Sequence, residues 1–219
     1  LPEFIDTIGF EQHSPHHDKD VYYHSLCVVE NCPPNLEIRL AALFHDIGKP
    51  HTFELDEEGR GHFRGHDEIS RGMAISILER LKCSNELVDD VSLLIGEHMT
   101  AYWNFTHKGL KRLIGRLGKD RIFKLITLQK ADKICSAGDK NIDFLLQREN
   151  EIKGILESAQ AYEKNQLAIN GHDLIQEGYV QGEIIGEILD YLLEQVIEEP
   201  SLNERQRLLK ITRENFALE

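Results

Sequence analysis

The feature that most constrains this chain is an apolar, helix-forming segment that ends in an adjacent histidine and aspartate. Residues 36–44 are good helix formers, and His45 and Asp46 follow them directly. Gly48 can end such a helix in a left-handed conformation. A carboxylate is rarely placed in the last turn of a buried helix without a partner, and an imidazole beside a carboxylate suits a divalent metal ion. Capping of the helix end by His45 and pairing of Asp46 with Lys49 would explain these residues equally well.

Composition and charge exclude several classes of protein. Of the 219 residues, 41% are hydrophobic, which allows a packed core in one large domain or two small ones. The formal net charge of −13 argues against binding of nucleic acid over the whole surface, because such binding needs clustered Lys and Arg. The sequence contains no apolar run of about 18 residues, so we expect no membrane-spanning helix.

The cysteines and the N-terminal residues indicate the cellular compartment of the protein. Cys27, Cys32, Cys83 and Cys135 form no Cys-x-x-Cys pair, so we predict buried free thiols and a cytoplasmic protein. Residues 1–4 lack the basic and apolar regions of a signal peptide. They also lack an initiator Met, so we expect the sequence to begin inside a longer chain.

Helical periodicity of apolar residues dominates the chain. The predicted helices cover about residues 19–31, 36–46, 66–81, 85–98, 120–135, 142–164 and 183–197, with a last helix after Pro200, and the expected N-caps include Asn85 and Ser201. Residues 51–55 and 62–63 flank a glycine-bearing turn, which predicts a small β-hairpin. We therefore predict an all-α fold with one small β-hairpin. It comprises a domain at residues 1–138 and a C-terminal helical extension at 139–219 packed on it.

One basic stretch interrupts this acidic chain. Residues 107–124 contain seven Lys or Arg side chains and a single acid, Asp120. Two interpretations stay open: a solvated helical face, or a local cradle for phosphates. Arg112 in this stretch and Arg64 upstream are the candidate phosphate-binding arginines, because a guanidinium can make two parallel hydrogen bonds to a phosphate.

Metal-capable side chains fall at inward or boundary positions of several predicted helices. They are His24, His45, Asp46, His66, His98 and Asp132. A helical bundle can bring such side chains into one interior. Six nitrogen and oxygen donors exceed what one ion needs, and they fit two ions bridged by a carboxylate. Asp46 is the natural bridge, because each of its oxygens can bind one ion. For His24 taken alone, a satisfied core histidine is the simpler alternative.

The donor set also limits the metal and the chemistry. Histidines mixed with carboxylates suit one or two divalent transition-metal ions, namely Fe, Mn, Co, Ni or Zn, whereas Mg fits less well with so much imidazole. We predict metal-assisted phosphoester hydrolysis, in which Asp46 orients the metal site and Lys49 neutralises charge on a phosphoryl oxygen. An ion pair with Asp46 is the alternative role of Lys49. Four loop histidines either extend this site or belong to mobile loops: His13, His16, His17 and His51.

The ordered donor set resembles the HD superfamily of metal-dependent phosphohydrolases. The residues that match its core ligands are His24, His45, Asp46 and Asp132. His66 and His98 resemble the additional histidines of members that hold two metals. The resemblance spans residues 24–132 and implies an HD-domain helical bundle.

The resemblance narrows to the HD domain of bacterial CCA-adding tRNA nucleotidyltransferases. It is carried by motifs at residues 20–24, 40–50, 63–66 and 77–81 and by tail motifs at 167–174 and 203–205. The polymerase head of that family has no counterpart, because no Gly-Ser is followed by an Asp-x-Asp pair, so this chain should not add CCA by itself. The resemblance implies a phosphodiesterase or phosphatase that acts on nucleotides or RNA ends, including 2′,3′-cyclic phosphates, with tRNA as a candidate partner.

A non-catalytic module is the rival interpretation. Such a module would bind tRNA ends or form a homodimer, with metal only as a structural staple. The basic stretch 107–124 favours RNA contact, whereas the net charge of −13 opposes it. The complete donor set opposes a decayed enzyme, because a remnant is free to lose donors.

Overall fold

The computed structural model describes residues 1–14, 19–158 and 161–217. Two of the loop histidines considered above, His16 and His17, lie outside these residues. Within the described ranges, every helix is too short or too polar to span a lipid bilayer.

Helices account for most of the described residues. In chain order the elements are α1 (Val21–Glu30), α2 (Leu36–Phe44), β1 (Glu54–Leu55), β2 (Gly61–His62), α3 (His66–Arg80), α4 (Asn85–Glu97), α5 (His107–Leu117), α6 (Lys119–Cys135), α7 (Asp143–Glu157), α8 (Gly171–Gln176), α9 (Glu183–Glu198) and α10 (Arg205–Asn215). Short 3-10 helices lie at Pro2–Thr7, Lys49–His51, His98–Tyr102, Lys164–Gln166 and Pro200–Leu202. The two strands are antiparallel, with Glu54 opposite His62. The predicted all-α fold with one small hairpin is confirmed.

The described residues form two compact units. The first unit consists of Leu1–Asn104 and Asp120–Glu149, and the second of Phe105–Lys119 and Asn150–Glu219. α5 therefore belongs to the second unit, although it lies between α4 and α6 in the sequence. The predicted division into domains at residue 138 stays a prediction.

The first unit packs α1 to α4 around a buried apolar core. α2 lies against both α1 and α4, and α3 lies against α4. Local residues set the helix starts, since Asp20 caps α1 by accepting a hydrogen bond from the Tyr23 amide at 2.7 Å. The buried apolar side chains include Val28, Ala41, Phe44, Ile77, Leu94 and Ile126.

The second unit has its own apolar core. Its buried members are Ala161, Leu167, Ile169, Leu174, Tyr179, Ile188, Leu192, Val196, Leu208 and Leu209. α9 supplies three of these side chains and contacts α5, α8 and α10. Asn170 caps α8 by accepting a hydrogen bond from the His172 amide at 2.8 Å.

Gly48 is needed for close packing and not for a left-handed turn, which corrects the sequence prediction. Its φ of −82° lies in the right-handed region. A Cβ at this position would lie 2.7 Å from the Ser70 amide nitrogen and 2.9 Å from the His66 carbonyl oxygen. The segment after α2 therefore passes so close to α3 that only glycine fits. His45 and Asp46 lie at and just beyond the end of α2 rather than inside its last turn.

The two N-caps predicted from the sequence are wrong. Ser84, one residue before Asn85, caps α4 by accepting a hydrogen bond from the Leu87 amide at 3.3 Å. Ser201 lies within a 3-10 helix, and Glu204 precedes α10 without a side-chain cap. In both places more than one nearby residue can cap a helix, so local composition does not select the start of the helix.

α7 ends at Glu157, well before the predicted helix end near residue 164. Ala161 and Tyr162 are buried in the second unit. The Tyr162 carbonyl oxygen lies directly against Gly115 and leaves no room for a Cβ there. Tertiary packing of this segment therefore overrides its helical propensity.

A disulfide joins Cys27 of α1 to Cys135 of α6, which corrects the prediction of four free thiols. The two cysteines are 108 residues apart in the sequence, and their Cα atoms lie 5.9 Å apart. Cys32 and Cys83 are free. The pair has no signal in the sequence, because it depends on how α1 and α6 are placed.

Candidate metal centre

The first unit buries six donor side chains at one place. They are His24 in α1, His45 and Asp46 at the end of α2, His66 at the start of α3, His98 directly after α4, and Asp132 in α6. Each of the six residues is exposed by 9% or less. The structure thus brings together all the side chains that the sequence singled out as candidate ligands.

Backbone carbonyls fix the orientation of three of the imidazole rings. Nδ1 of His45, His66 and His98 each donates a hydrogen bond to the carbonyl oxygen three residues earlier, at 2.8, 2.7 and 2.7 Å. A carbonyl oxygen only accepts, so Nδ1 carries a proton in each ring and Nε2 of the neutral ring presents a lone pair. Proteins commonly orient histidines in this way when Nε2 binds a metal.

The two oxygens of Asp46 face two different pairs of histidines. Oδ2 lies 3.3 Å from His45 Nε2 and 3.6 Å from His24 Nε2. Oδ1 lies 3.2 Å from His66 Nε2 and 3.9 Å from His98 Nε2. Asp46 therefore belongs to two triads of donor atoms, and each triad is compact enough to share one ion.

Asp132 adds a fourth donor to the triad that contains His24 and His45. Its Oδ1 lies 3.0 Å from His24 Nε2 and 3.8 Å from His45 Nε2. In the other triad, the Nε2 atoms of His66 and His98 lie 3.2 Å apart. Two lone pairs at this distance repel each other unless a proton or another cation lies between them.

The geometry and polarity of both triads fit a divalent metal ion. Two atoms that bind one ion at about 2.1 Å lie about 3 to 4 Å from each other, as these donors do. His45 Nε2 is buried and makes no hydrogen bond within the described structure, although Asp46 Oδ2 is 3.3 Å away. A buried polar atom without a partner is costly, and a metal ion would satisfy it.

Both carboxylates are held in their charged form. Burial would raise the pKa of Asp46, but the charges of His45 and Lys49 hold it well below its ordinary value. Burial likewise opposes the charge of Asp132, whereas the hydrogen bond from His24 and the charge of His45 lower its pKa. The centre thus presents two negative charges to a cation.

The histidines differ in how readily they take up a proton. Burial, together with repulsion from His45 and His66, lowers the pKa of His98 to about 4. His98 is therefore neutral near pH 7, as a metal ligand must be. Burial also disfavours a charge on His45, but the neighbouring carboxylates Asp46 and Asp132 raise its pKa. The surroundings of His45 Nε2 thus favour positive charge at that place.

A cavity of about 730 Å³ opens onto the centre within the first unit. Its lining includes Asp46, His66, His98 and Asp132, together with the predicted substrate-binding residues Lys49 and Arg64. The donor atoms are therefore reachable by a small molecule, although the side chains that carry them are almost fully buried.

Lys49 forms the ion pair that the sequence offered as its alternative role. Its Nζ lies 2.7 Å from Asp46 Oδ2 and donates a hydrogen bond to Gln12 Oε1 at 2.9 Å. It also lies 5.2 Å from the centre of the Phe63 ring. Because Lys49 lines the cavity as well, the ion pair and a contact with substrate are compatible.

Arg112, the third predicted substrate-binding residue, lies in the second unit. Its guanidinium pairs with Glu194 at 2.7 Å and with Glu198 at 2.8 Å. Lys108 of the same basic stretch also pairs with Glu198. These acids of α9 neutralise the charges of Lys108 and Arg112, as expected for a solvated helical face. A role of Arg112 in phosphate binding stays a prediction.

Sequence reasoning did not single out several residues that support the centre. Gln12 holds Lys49, and Gln129 donates a hydrogen bond to the His98 carbonyl oxygen at 3.1 Å. A glutamine in a loop or mid-helix carries no spacing signal, so neither could have been found. Of the loop histidines, His13 and His51 are exposed and belong to neither triad.

The fold and the site define an all-α protein with a buried histidine–aspartate centre whose donors fit divalent metal ions. The family model described as tRNA nucleotidyltransferase domain 2 matches residues 68–212 of this chain. Because the match covers more than half of its residues, the chain belongs to this family. The matched region contains His98 and Asp132 and begins after the other four donors.

Three curated relatives have names that refer to tRNA nucleotidyltransferases or to CCA. The chain is 35% identical over 145 residues to the CC-adding tRNA nucleotidyltransferase of Thermus thermophilus, covering 63% of this chain and 32% of the relative. It is 35% identical over 105 residues to the A-adding tRNA nucleotidyltransferase of Deinococcus radiodurans, covering 45% and 24%. It is 31% identical over 143 residues to the Multifunctional CCA protein of Paraburkholderia phymatum, covering 63% and 33%. The chain thus spans about a quarter to a third of the length of these relatives.

Proposed function

We propose that this chain is a metal-dependent phosphohydrolase of the HD type that acts on phosphate esters of nucleotides or RNA ends, including 2′,3′-cyclic phosphates. The observation that carries the proposal is the position of Asp46, whose two oxygens face two separate histidine pairs beside a cavity of about 730 Å³. Divalent ions would be held there by Asp46 together with the two histidine pairs, and they would supply the Lewis acidity that displacement at phosphorus needs.

The chain supplies the positioning and the charge for this reaction. Divalent ions, when bound, supply the Lewis acidity that activates water and polarises a phosphoryl oxygen. Asp46 and Asp132 hold the positive charge in place, and the backbone hydrogen bonds of His45, His66 and His98 keep the rings aimed inward. Lys49 at the cavity wall neutralises negative charge that develops on the phosphoryl group.

The substrate class rests on family membership together with the cavity. Two of the relatives are named for adding nucleotides to tRNA, so we propose RNA ends or the nucleotides derived from them as substrates and tRNA as a partner, in the cytoplasm. Arg64 lines the cavity and is the candidate phosphate-binding arginine of the first unit.

Replacement of Asp46 tests the proposal. Asp46→Asn keeps the size of the side chain and removes the charge that both triads share. We expect the transition-metal content per chain to fall and turnover of bis-p-nitrophenyl phosphate and 2′,3′-cyclic AMP to drop at least about 100-fold, since even outer partners of metal ligands typically contribute about 10- to 100-fold. Elemental analysis measures the metal, and release of product measures turnover.

The matched control is Asp190→Asn. The side chain of Asp190 is 63% exposed and pairs with Lys164 in the second unit, so this variant should keep both metal and turnover. Circular dichroism shows whether each variant is folded. Unchanged turnover in folded Asp46→Asn would reject the proposed function.

A non-catalytic module that binds tRNA ends and uses metal as a staple is the second candidate. It is favoured by family membership, because none of the three relatives above is named for hydrolysis and two are named as tRNA nucleotidyltransferases. It predicts bound metal, a higher melting temperature with metal than after chelation, and binding of tRNA without turnover of either phosphodiester. A preference for phosphomonoesters would instead identify a nucleotide phosphatase.

A further inference from the structure

The cavity beside the metal centre has an aromatic side that the proposed chemistry does not use. Tyr102 and Trp103 both line this cavity and are 53% and 56% exposed. Each gives up favourable burial of a large ring by staying exposed, which is common where a ring contacts a ligand. They follow closely on the donor His98, at the end of the same 3-10 helix.

Buried polar side chains hold this aromatic pair in place. Arg148 donates hydrogen bonds to the carbonyl oxygens of Thr100 at 3.0 Å and of Trp103 at 2.7 Å. Gln129 donates to the carbonyl oxygen of His98 at 3.1 Å. Arg148 and Gln129 are themselves 9% and 1% exposed. The segment from His98 to Trp103 is therefore tied to α6 and α7, so the rings are presented from a backbone that is braced next to the metal centre.

The lining of the cavity thus combines basic side chains with aromatic ones. Arg64 and Lys133 join Lys49 in its lining and offer positive charge to an anion. Its volume of about 730 Å³ lies in the range of about 300 to 1,000 Å³ that is usual for small-molecule sites. A ligand that contacts both the basic and the aromatic side chains of the cavity needs a phosphate and a flat, polarisable ring.

We propose that Trp103, assisted by Tyr102, forms a nucleobase subsite in this cavity, so that the site selects phosphate esters that carry a base over base-free ones. The inference rests on the proposed function for the placement of the phosphate, whereas stacking of the base on Trp103 depends only on the aromatic side. Every nucleobase has a π-face, so the subsite tolerates different bases. Stacking of one base contributes about 5- to 150-fold in affinity.

Trp103 is the only tryptophan of the chain, so its fluorescence reports on this subsite alone. We would titrate the whole chain with AMP and, in parallel, with ribose 5-phosphate, which has the same phosphate and sugar without the base. We expect AMP to quench the tryptophan emission and to bind at least about 5-fold more tightly than ribose 5-phosphate. Equal affinity and equal quenching for the two ligands would overturn the inference.

Substitutions separate stacking from a structural role. For Trp103→Ala we expect the dissociation constant of AMP, measured by calorimetry, to rise at least about 5-fold and that of ribose 5-phosphate to stay the same. Trp103→Phe should recover part of the AMP affinity because it keeps a ring. Phe144→Ala removes an aromatic side chain that is 39% exposed and does not line the cavity, so it should leave both constants unchanged. An equal loss of affinity for AMP and for ribose 5-phosphate in Trp103→Ala would show that the residue only supports the fold.

The outcomes distinguish this inference from the proposed function. Quenching by AMP without any hydrolysis of phosphate esters would leave the nucleobase subsite standing and reject the phosphohydrolase. Hydrolysis of 2′,3′-cyclic AMP with an unchanged KM in Trp103→Ala would support the enzyme and overturn the subsite.

Discussion

The two compact units differ most in what they bury. The first unit encloses four histidines, two aspartates and a lysine around one centre. Among the described residues of the second unit, the buried polar or charged side chains are Lys111 and Thr212, and the core is otherwise apolar. The first unit buries donor side chains that require a cation or a hydrogen-bond partner. The core of the second unit consists mainly of apolar side chains that pack against one another.

This difference supports the assignment of the proposed chemistry to the first unit. Burial of a carboxylate costs free energy unless a cation or several hydrogen bonds offset it, and the first unit buries two within reach of four imidazoles. In the second unit, charges such as Arg112 stay at the surface and pair with α9 acids, where an ion pair contributes little. The first unit therefore keeps an arrangement that stability alone would not favour.

A cavity in the apolar core of the second unit should have the largest effect on stability. Leu192 in α9 is fully buried, so Leu192→Ala should lower the free energy of unfolding by about 2 to 5 kcal/mol in chemical denaturation. The metal content and turnover should not change under native conditions. Val180→Ala, at a position that is 62% exposed, is the control and should have little effect on stability. A loss of metal in Leu192→Ala would contradict the view that only the first unit holds the metal centre.

Gly48→Ala should have a smaller effect on stability and a specific effect on the centre. The added methyl group would lie 2.7 Å from the Ser70 amide nitrogen, and such overpacking costs about 1 to 3 kcal/mol. Because the same methyl group presses on the His66 carbonyl oxygen, metal affinity should fall as well. Gly72→Ala in α3 is the matched control, since a methyl group there meets nothing within 4 Å and should stabilise the helix by about 0.5 to 1 kcal/mol. Unaltered metal affinity in Gly48→Ala would show that the close packing of Gly48 on α3 does not position the metal ligands.

Arg112→Gln should have the smallest effect on stability. Its side chain is 38% exposed, so loss of its pairs with Glu194 and Glu198 should cost about 0 to 1 kcal/mol, less at high salt. Urea denaturation at low and high salt measures this. KM for 2′,3′-cyclic AMP should stay the same, whereas Arg64→Gln at the cavity should raise it about 10-fold. A higher KM in Arg112→Gln would support the phosphate-binding role predicted from the sequence and would give the second unit a part in the chemistry.

Much of the fold could be predicted from local patterns. The apolar period of α2, α3, α4 and α9 and the turn between β1 and β2 are encoded within a few residues, and those elements are present. The errors lie where distant segments compete with local preference. Packing of Tyr162 on Gly115 ends α7 early, and the close approach of Ser70 explains Gly48 better than a turn does.

The amino-acid sequence on its own determined which donors are present and that, apart from the adjacent His45 and Asp46, they lie on or at the edge of different helices, because helical periodicity and residue chemistry are local properties. Tertiary structure decided how they meet: His24 and Asp132 are 108 residues apart, yet Nε2 and Oδ1 lie 3.0 Å from each other. It also decided that the two oxygens of Asp46 face different histidine pairs and that Cys27 joins Cys135. Such contacts depend on the packing of whole helices against one another, which no short stretch of sequence contains.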